Sequence, residues 1–441
     1  MILDSQLPEL KAFRKVEKRL PLSVDTDSGA GIAPGGNEAR PIHNWFRFKE
    51  SFSAELVHDL VREFQSDLGR SFRLLDPFCG VGTTLVGSQE LSSEGFRVTA
   101  LGIEHNPFIG FVARTKAAWP VLDVSEFSAA AGHIFDELRP GDELPQLSSI
   151  TTAKCISRHM AERIVSVRKS IEGSTVGQVR QSLLLGLAAC IESLSRTRKD
   201  GRALRIVKRP SSRIRPTVEQ RWQAMAVDLA TMRARFPLAN SATVLRGDGR
   251  RPSTLGIAPE SVDLIVTSPP YPNNIDYTEV YKLELWFLDF VKSGDEFFKL
   301  RSRTFRSHPT TEISKPADEF MHLAKTGRLR QTLWPLMVRT ESMKDPWRSR
   351  LLVGYFEDLW VALREYATVL RSGGRAVFVV GNSLHGGSDQ PYLVPTDLIL
   401  AGLTARCGFT VENISVARAF RRRLSGNHFL RETVIGLRRD A

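Results

Sequence analysis

The sequence predicts an α/β fold built on a mostly parallel sheet, and three strand-then-loop patterns carry the prediction. Phe72-Arg73-Leu74-Leu75 is a short apolar run that breaks at Asp76-Pro77 into Phe78-Cys79-Gly80-Val81-Gly82-Thr83-Thr84. Val98-Thr99-Ala100-Leu101-Gly102-Ile103 is a second run and stops at Glu104. Ser261 to Val266 is a third and gives way to Thr267-Ser268-Pro269-Pro270-Tyr271. Each pattern puts glycine or polar residues at the carboxyl end of a strand, which is where open α/β sheets bind their ligands.

The first pattern reads as a strand, a tight turn and the start of a helix at Thr83. Gly80 and Gly82 let the backbone come close to a ligand. The nine-residue string from Asp76 to Thr84 is more specific than a lone Gly-x-Gly, which also serves plain strand-to-helix turns. Glu104 then stands one βαβ unit further on, where nucleotide-binding folds keep an acid for the ribose hydroxyls. An acid at a strand end also serves as a helix cap, and the register with the glycine turn favours the ribose. Asp248, in Val244-Leu245-Arg246-Gly247-Asp248-Gly249-Arg250, follows another short strand. It is a candidate acceptor for an adenine amine, or an ordinary Asp-Gly turn.

The third pattern carries the chemistry. Two prolines fix φ and stiffen the loop. The exocyclic amine of a nucleobase is a poor nucleophile because its lone pair is delocalised into the ring. The Ser268 side-chain oxygen and the Pro269 carbonyl can accept its two N–H bonds and turn the lone pair towards an electrophilic methyl group. Pro270 holds the loop, and Tyr271 offers a ring face to stack the base, worth roughly 1–3 kcal/mol. A base inside a duplex cannot reach such a loop and must be flipped out. With S-adenosylmethionine (SAM) as donor no covalent enzyme intermediate is needed, and alignment supplies much of the rate.

On these residues the chain resembles the SAM-dependent amino-methyltransferases of nucleic acid, which make N4-methylcytosine or N6-methyladenine in DNA. The resemblance implies a Rossmann-like sheet of seven strands, mostly parallel, with helical insertions. It implies SAM contacts from Asp76, Phe78, Cys79, Gly80, Gly82, Thr83, Glu104, Asp248 and Thr267, with Cys79 a small packing residue in the turn. It maps the catalytic tetrapeptide onto Ser268-Pro269-Pro270-Tyr271. Serine in the first slot is similar to the cytosine-N4 members, whereas adenine enzymes usually carry Asp or Asn there. It also expects an aromatic segment, Pro41 to Phe52, to close over the methionine end of SAM. The alternative for that segment is a helix docking its aromatics on the core. Adenine-N6 activity, amine methylation of RNA, and an inactive SAM-fold protein that only binds nucleic acid are the competing readings.

Later elements fit the same fold. Tyr355 to Leu370 has helical periodicity, and Gly373 to Asn382 reads as a turn and a central strand. Gly408 to Val411 and Glu432 to Leu437 are the last two strands, with Ser425-Gly426-Asn427 in the turn between them. Other chemistries are poorly supported. Cytosine-C5 methylation needs a cysteine after proline, and no Pro-Cys dipeptide occurs. The four cysteines stand singly, the histidines show no metal spacing, and no Gly-Lys-Ser/Thr phosphate loop is present. No metal is expected. No apolar run suits a membrane span, the first residues lack a leader pattern, and sparse cysteine fits the cytoplasm.

The chain has 441 residues, 42% of them hydrophobic, and a formal charge of +12. Its pI near 9.7 suits a polyanion such as double-stranded DNA. The charge is concentrated: Arg196, Arg198, Lys199, Arg202, Arg205, Lys208, Arg209, Arg213 and Arg215 face only Asp200. Phosphate contact or a solvated loop both account for this run. Six phosphate contacts would give a log–log salt slope of about −5. Arg301, Arg303, Arg306 and His308 form a second cluster, and Arg421-Arg422-Arg423 a third. The organisation reads as a loosely ordered segment 1–40, with a Gly/Pro/Ser-rich stretch from Ser28 to Gly36, and a catalytic domain in three pieces, 41–120, 237–290 and 353–441. A mainly helical insertion covers 121–236 and a second insertion 291–352, and either could read target sequence. The recognition sequence, a cognate restriction or defence partner, and the oligomeric state are not legible.

Overall fold

The computed structural model describes residues 7–24, 34–136, 138, 144, 154–199, 204–208, 212–273, 275–343, 346–386, 390–419 and 429–441. Arg202, Arg209, the Arg421–Arg423 cluster and the turn Ser425–Asn427 lie outside these residues.

The strands in chain order are β1 (Leu22–Val24), β2 (Ser71–Asp76), β3 (Arg97–Glu104), β4 (Thr197–Lys199), β5 (Leu204–Ile206), β6 (Thr243–Arg246), β7 (Val262–Thr267), β8 (Leu370–Gly381), β9 (Ser383–His385), β10 (Tyr392–Val394), β11 (Phe409–Ala419) and β12 (Arg431–Arg439). Eight of them make one sheet in the order β1-β11-β12-β8-β7-β2-β3-β6. Only β12 runs antiparallel to its neighbours β11 and β8; the other pairings are parallel. The chain builds outward from β2 through β3 to β6, then returns to β7 and builds the other way. That reversal makes the β2/β7 boundary the switch point of a Rossmann-like sheet. The sheet has one strand more than the seven expected, because β1 adds to β11 at the edge, Leu22 opposite Ile414.

Alternate residues of the central strands feed two cores. Leu74, Leu264, Val266, Val377 and Val379 pack on one face with Val57, Leu60 and Val61 of the helix Ala54–Glu63. Leu75, Ile265, Ala376, Phe378 and Val380 pack on the other with Phe356, Leu359 and Leu363 of the helix Pro346–Val369. Both faces are covered, which explains why Leu74-Leu75, Leu264-Ile265-Val266 and Ala376 to Val380 are apolar without a break. A third apolar cluster joins the helices Val124–His133, Arg158–Ser174, Gly177–Leu194 and Ile214–Arg235 around Trp222.

Two expectations change. Loose order over 1–40 does not hold for the helix Leu10–Glu17 and β1: Leu10, Phe13 and Val16 are buried, and Phe13 packs edge-on to Phe429, ring centroids 6.1 Å apart. The helix packs on the helices Leu329–Glu341 and Thr396–Thr404 while β1 extends the sheet edge, contacts that a composition reading centred on Ser28–Gly36 does not register. Within the stretch read as a second insertion, the helix Leu329–Glu341 buries Leu329, Leu333, Leu336 and Met337 in the main core, so that part is structural. Phe13→Ala should therefore cost about 3–5 kcal/mol in urea unfolding; a loss below ~1 kcal/mol would mean the N-terminal helix is not part of the folded body.

Candidate active site at the carboxyl ends of two neighbouring strands

β2 and β7 are hydrogen-bonded neighbours, Leu74 opposite Leu264 and Leu75 opposite Ile265. Parallel neighbours lie about 4.8 Å apart, so the loops leaving their carboxyl ends must stand side by side. One cavity is lined by Pro77, Phe78 and Gly80 from the first loop and by Ser268 and Pro270 from the second. Glu104 from the end of β3 and Asp248-Gly249 after β6 complete the same wall. Residues separated by nearly two hundred positions are thus brought to one crevice.

The glycine loop is held from below. Asp76 is 2% exposed; its carboxylate accepts from the Phe78 N–H at 3.1 Å and the Thr84 hydroxyl at 2.6 Å, and Thr267, fully buried, lies beside it. Burial pushes the Asp76 carboxyl up to about 6. Gly82 has φ +84°, so a side chain there would be strained. At Gly249 an added Cβ would stand 1.8 Å from the Pro77 carbonyl, so only glycine lets the Asp248 loop meet the Asp76 loop.

Glu104 faces the cavity. It accepts the Asn106 N–H at 2.8 Å, and burial, with the Asp76 charge nearby, pushes its carboxyl up to about 7. Asp248 is less free than the sequence reading supposes. Arg250 grips it with two side-chain bonds of 2.9 and 2.8 Å and a backbone N–H at 3.0 Å. Arg250 also reaches Asp358 at 2.7 Å, and Asp358 accepts from Arg306 at 2.7 Å. Burial opposes ionisation of Asp248, but the Arg250 guanidinium more than offsets it and the carboxyl falls below its ordinary range. In sequence Arg250 is only an unremarkable flanking residue.

Several sequence assignments move. Cys79 turns towards the sheet, where a Cβ on Gly102 would stand 2.7 Å from its sulfur, so it packs as expected of a small residue but lines no cavity wall. Thr83 is buried and faces a neighbouring pocket with His43, Lys116 and Arg221. Tyr271 is absent from the cavity wall. Its ring lies on Gly381 at the end of β8, where an added Cβ would be 2.9 Å away, and burial pushes its phenol well above the ordinary range. Asp76, Thr267 and Gly82 lie behind the wall and support it, and Pro269 is buried between the wall residues Ser268 and Pro270.

The aromatic segment Pro41 to Phe52 divides between the core and the cavity. Trp45 and Phe46 are buried in the core, while Phe48 lines the cavity and stacks on Tyr277 and Tyr281, centroids 6.2 and 5.6 Å apart. Glu50 of the same segment also lines the cavity, and His105, Tyr277 and Phe305 are wall residues that no motif flags.

The basic clusters also resolve. Arg196, Arg198, Arg205 and Lys208 are exposed on or beside the hairpin β4–β5. Lys199 instead points inward, pairs with Glu284 and is 12% exposed, so it is not a surface phosphate contact. In the second cluster Arg301 pairs with Asp276 at 2.6 Å, Arg306 pairs with Asp358 and Glu357, and His308 is 1% exposed. Arg303 alone of the four is exposed, at the cavity mouth. Among the described residues no cluster of three metal-ligand side chains occurs, and no helix is long and apolar enough to cross a membrane.

No protein-family profile matches the chain. Solved structures add little: the rRNA methyltransferase AviRa from Streptomyces viridochromogenes is 10% identical, covering 94% of this chain and 96% of its own, with a TM-score of 0.36. Curated proteins align over nearly the whole length. The type II methyltransferase M.BsoBI from Geobacillus stearothermophilus is 24% identical, over 91% of this chain and 86% of its own. The type II methyltransferase M.AvaI from Nostoc sp. (strain PCC 7120) is 28% identical, over 94% and 89%. The chain is therefore similar, almost end to end, to type II methyltransferases.

Proposed function

We propose that this protein transfers a methyl group from SAM to the exocyclic N4 amine of a cytosine flipped out of double-stranded DNA. The observation that carries the reading is the shared cavity, with Gly80, Glu104 and Asp248 on one wall and Ser268 and Pro270 on the other. The names of the end-to-end relatives support methyl transfer to DNA. The serine that opens the tetrapeptide supports cytosine-N4 over adenine-N6.

The cavity residues suit SAM. Glu104 has acceptor capacity left over for a ribose diol, Gly249 and Gly80 keep the wall thin, and Phe78 offers an apolar face. When bound, SAM supplies an electrophilic methyl group and a good leaving group. Glu104 binds the ribose. Asp248, steadied by Arg250, presents its remaining acceptor capacity to the adenine amine. Ser268 and the Pro269 carbonyl accept the two hydrogens of the target amine, and the proline pair stops the acceptors from drifting. After transfer the positively charged, methylated amine gives its extra proton to solvent water, and no nucleophilic side chain is required. Because the Tyr271 ring rests on Gly381, stacking on a base requires it to swing. The domain division 41–120, 237–290 and 353–441 with insertions 121–236 and 291–352 belongs to the same proposal. Phosphate contact falls to Arg196, Arg198, Arg205 and Lys208.

Nucleoside mass spectrometry on DNA incubated with protein and SAM should show N4-methylcytosine. N6-methyladenine, methylated RNA only, or no product would each contradict the assignment. Ser268→Ala should lower kcat about a hundredfold or more while cofactor affinity stays within a few-fold; unchanged turnover removes Ser268 as the amine's acceptor. Affinity for S-adenosylhomocysteine should depend on pH. A ribose donates to ionised Glu104, and below about 7 that carboxyl must first lose a proton. Affinity should thus fall by up to about tenfold per unit as pH drops below 7, and level off above about 8. Calorimetric titration of wild type against Glu104→Gln checks this, with the variant weaker and nearly flat.

A further inference from the structure

The hairpin β4–β5 has two faces. Arg198 and Arg205 stand opposite each other across the ladder and are exposed. Thr197 and Lys199, two residues apart, share the other face and point inward: Thr197 is fully buried and the Lys199 side chain is 12% exposed. The alternation of strand side chains therefore sorts the positive charge, arginine outward and lysine inward.

The inward lysine meets a prepared socket. Its ammonium lies 4.8 Å from the Phe46 ring centre and 4.6 Å from that of Tyr281, and it pairs with Glu284, whose side chain is 1% exposed. Two aromatic faces and a buried carboxylate suit a desolvated cation. The backbone joins in, because Lys49 Nζ donates to the Lys199 carbonyl at 3.1 Å. Phe46 and Lys49 bracket Phe48, which lines the cavity, and the Tyr281 hydroxyl reaches Glu50, another wall residue, at 3.4 Å. Tyr281 also stacks on Phe48. One residue thus ties the basic hairpin to the segment Phe46–Glu50 that walls the cavity.

We propose that Lys199 is a positioning residue that couples DNA held on the outer face of β4–β5 to closure of the cofactor wall. This rests on the methyltransferase reading above. Phosphate engaging Arg198 and Arg205 restrains the hairpin, and Lys199, already seated in its socket, passes that restraint to Phe46 and with it to Phe48 and Glu50. By linkage DNA and cofactor then tighten each other's binding equally.

The test measures S-adenosylhomocysteine affinity by calorimetry with and without sonicated bacterial genomic DNA. Wild type should bind about tenfold more tightly with DNA, within the usual coupling range of roughly 5- to 150-fold. Lys199→Met keeps the bulk and removes the charge. It should reduce the DNA effect below about twofold while leaving affinity without DNA within about threefold, and Lys199→Arg should restore much of the effect. A structural role alone would weaken binding with and without DNA alike, and would overturn the proposal. So would a wild-type protein without coupling, or a Lys199→Met variant with full coupling. If Lys199→Met does not fold with Glu284 left unpaired, the double variant Lys199→Met/Glu284→Gln removes both charges and carries the same expectation. Nucleoside mass spectrometry on the same protein incubated with SAM and PCR-amplified, unmethylated DNA separates the two levels: methylated DNA without coupling removes this inference alone, whereas no methylated base removes the reading beneath it.

Discussion

The pairing of β2 with β7 brings the site together. Two parallel strands in register deliver their carboxyl ends to the same edge of the sheet. The loop that begins at Asp76 and the loop that begins at Ser268 then have no choice but to be neighbours. Asp76 adds a second tie, since its buried carboxylate organises the glycine loop and abuts Thr267 at the end of β7. The remaining assembly is local: Gly249 lets the third loop close in, and Glu104 and Asp248 arrive at the ends of the adjoining β3 and β6.

The central strands and the cavity-lining loops are legible in the sequence for physical reasons. A strand covered on both faces must be apolar throughout, so its end is marked sharply by the first polar residue, as at Asp76, Glu104 and Thr267. Glycines and prolines mark loops because their backbone limits are intrinsic. The side-chain partners are not legible in the same way. Nothing near Asp248 in sequence announces that Arg250 will hold it. The second half of that network, Asp358 and Arg306, comes from a helix and a loop distant along the chain and meets Arg250 only in the fold. Likewise Cys79, Thr83 and Tyr271 sit inside the right strings, yet local geometry turns their side chains away from the crevice.

Charge runs are the least reliable guide, and the hairpin β4–β5 shows why. A run of cations in sequence says nothing about which face each residue takes, and period-two alternation sends Lys199 into an aromatic socket while Arg198 and Arg205 stay in water. The cluster from Arg301 to His308 divides for a related reason. Buried carboxylates at Asp276, Glu357 and Asp358 claim most of it for packing inside the fold, leaving Arg303 at the cavity mouth. Net charge survives as an argument for a polyanionic partner, but the contact surface has to be read from the fold.

If the protein works as proposed, one crevice receives both the methyl donor and the extruded base. A crystal structure with S-adenosylhomocysteine and a DNA duplex would show this without intermediaries. The ribose should rest on Glu104, the sulfur should face Ser268, and a cytosine amine should lie between the sulfur and the Ser268–Pro269 acceptors. A cofactor seated outside the Gly80–Glu104 wall, or a base held away from the Ser268 loop, would contradict the proposal.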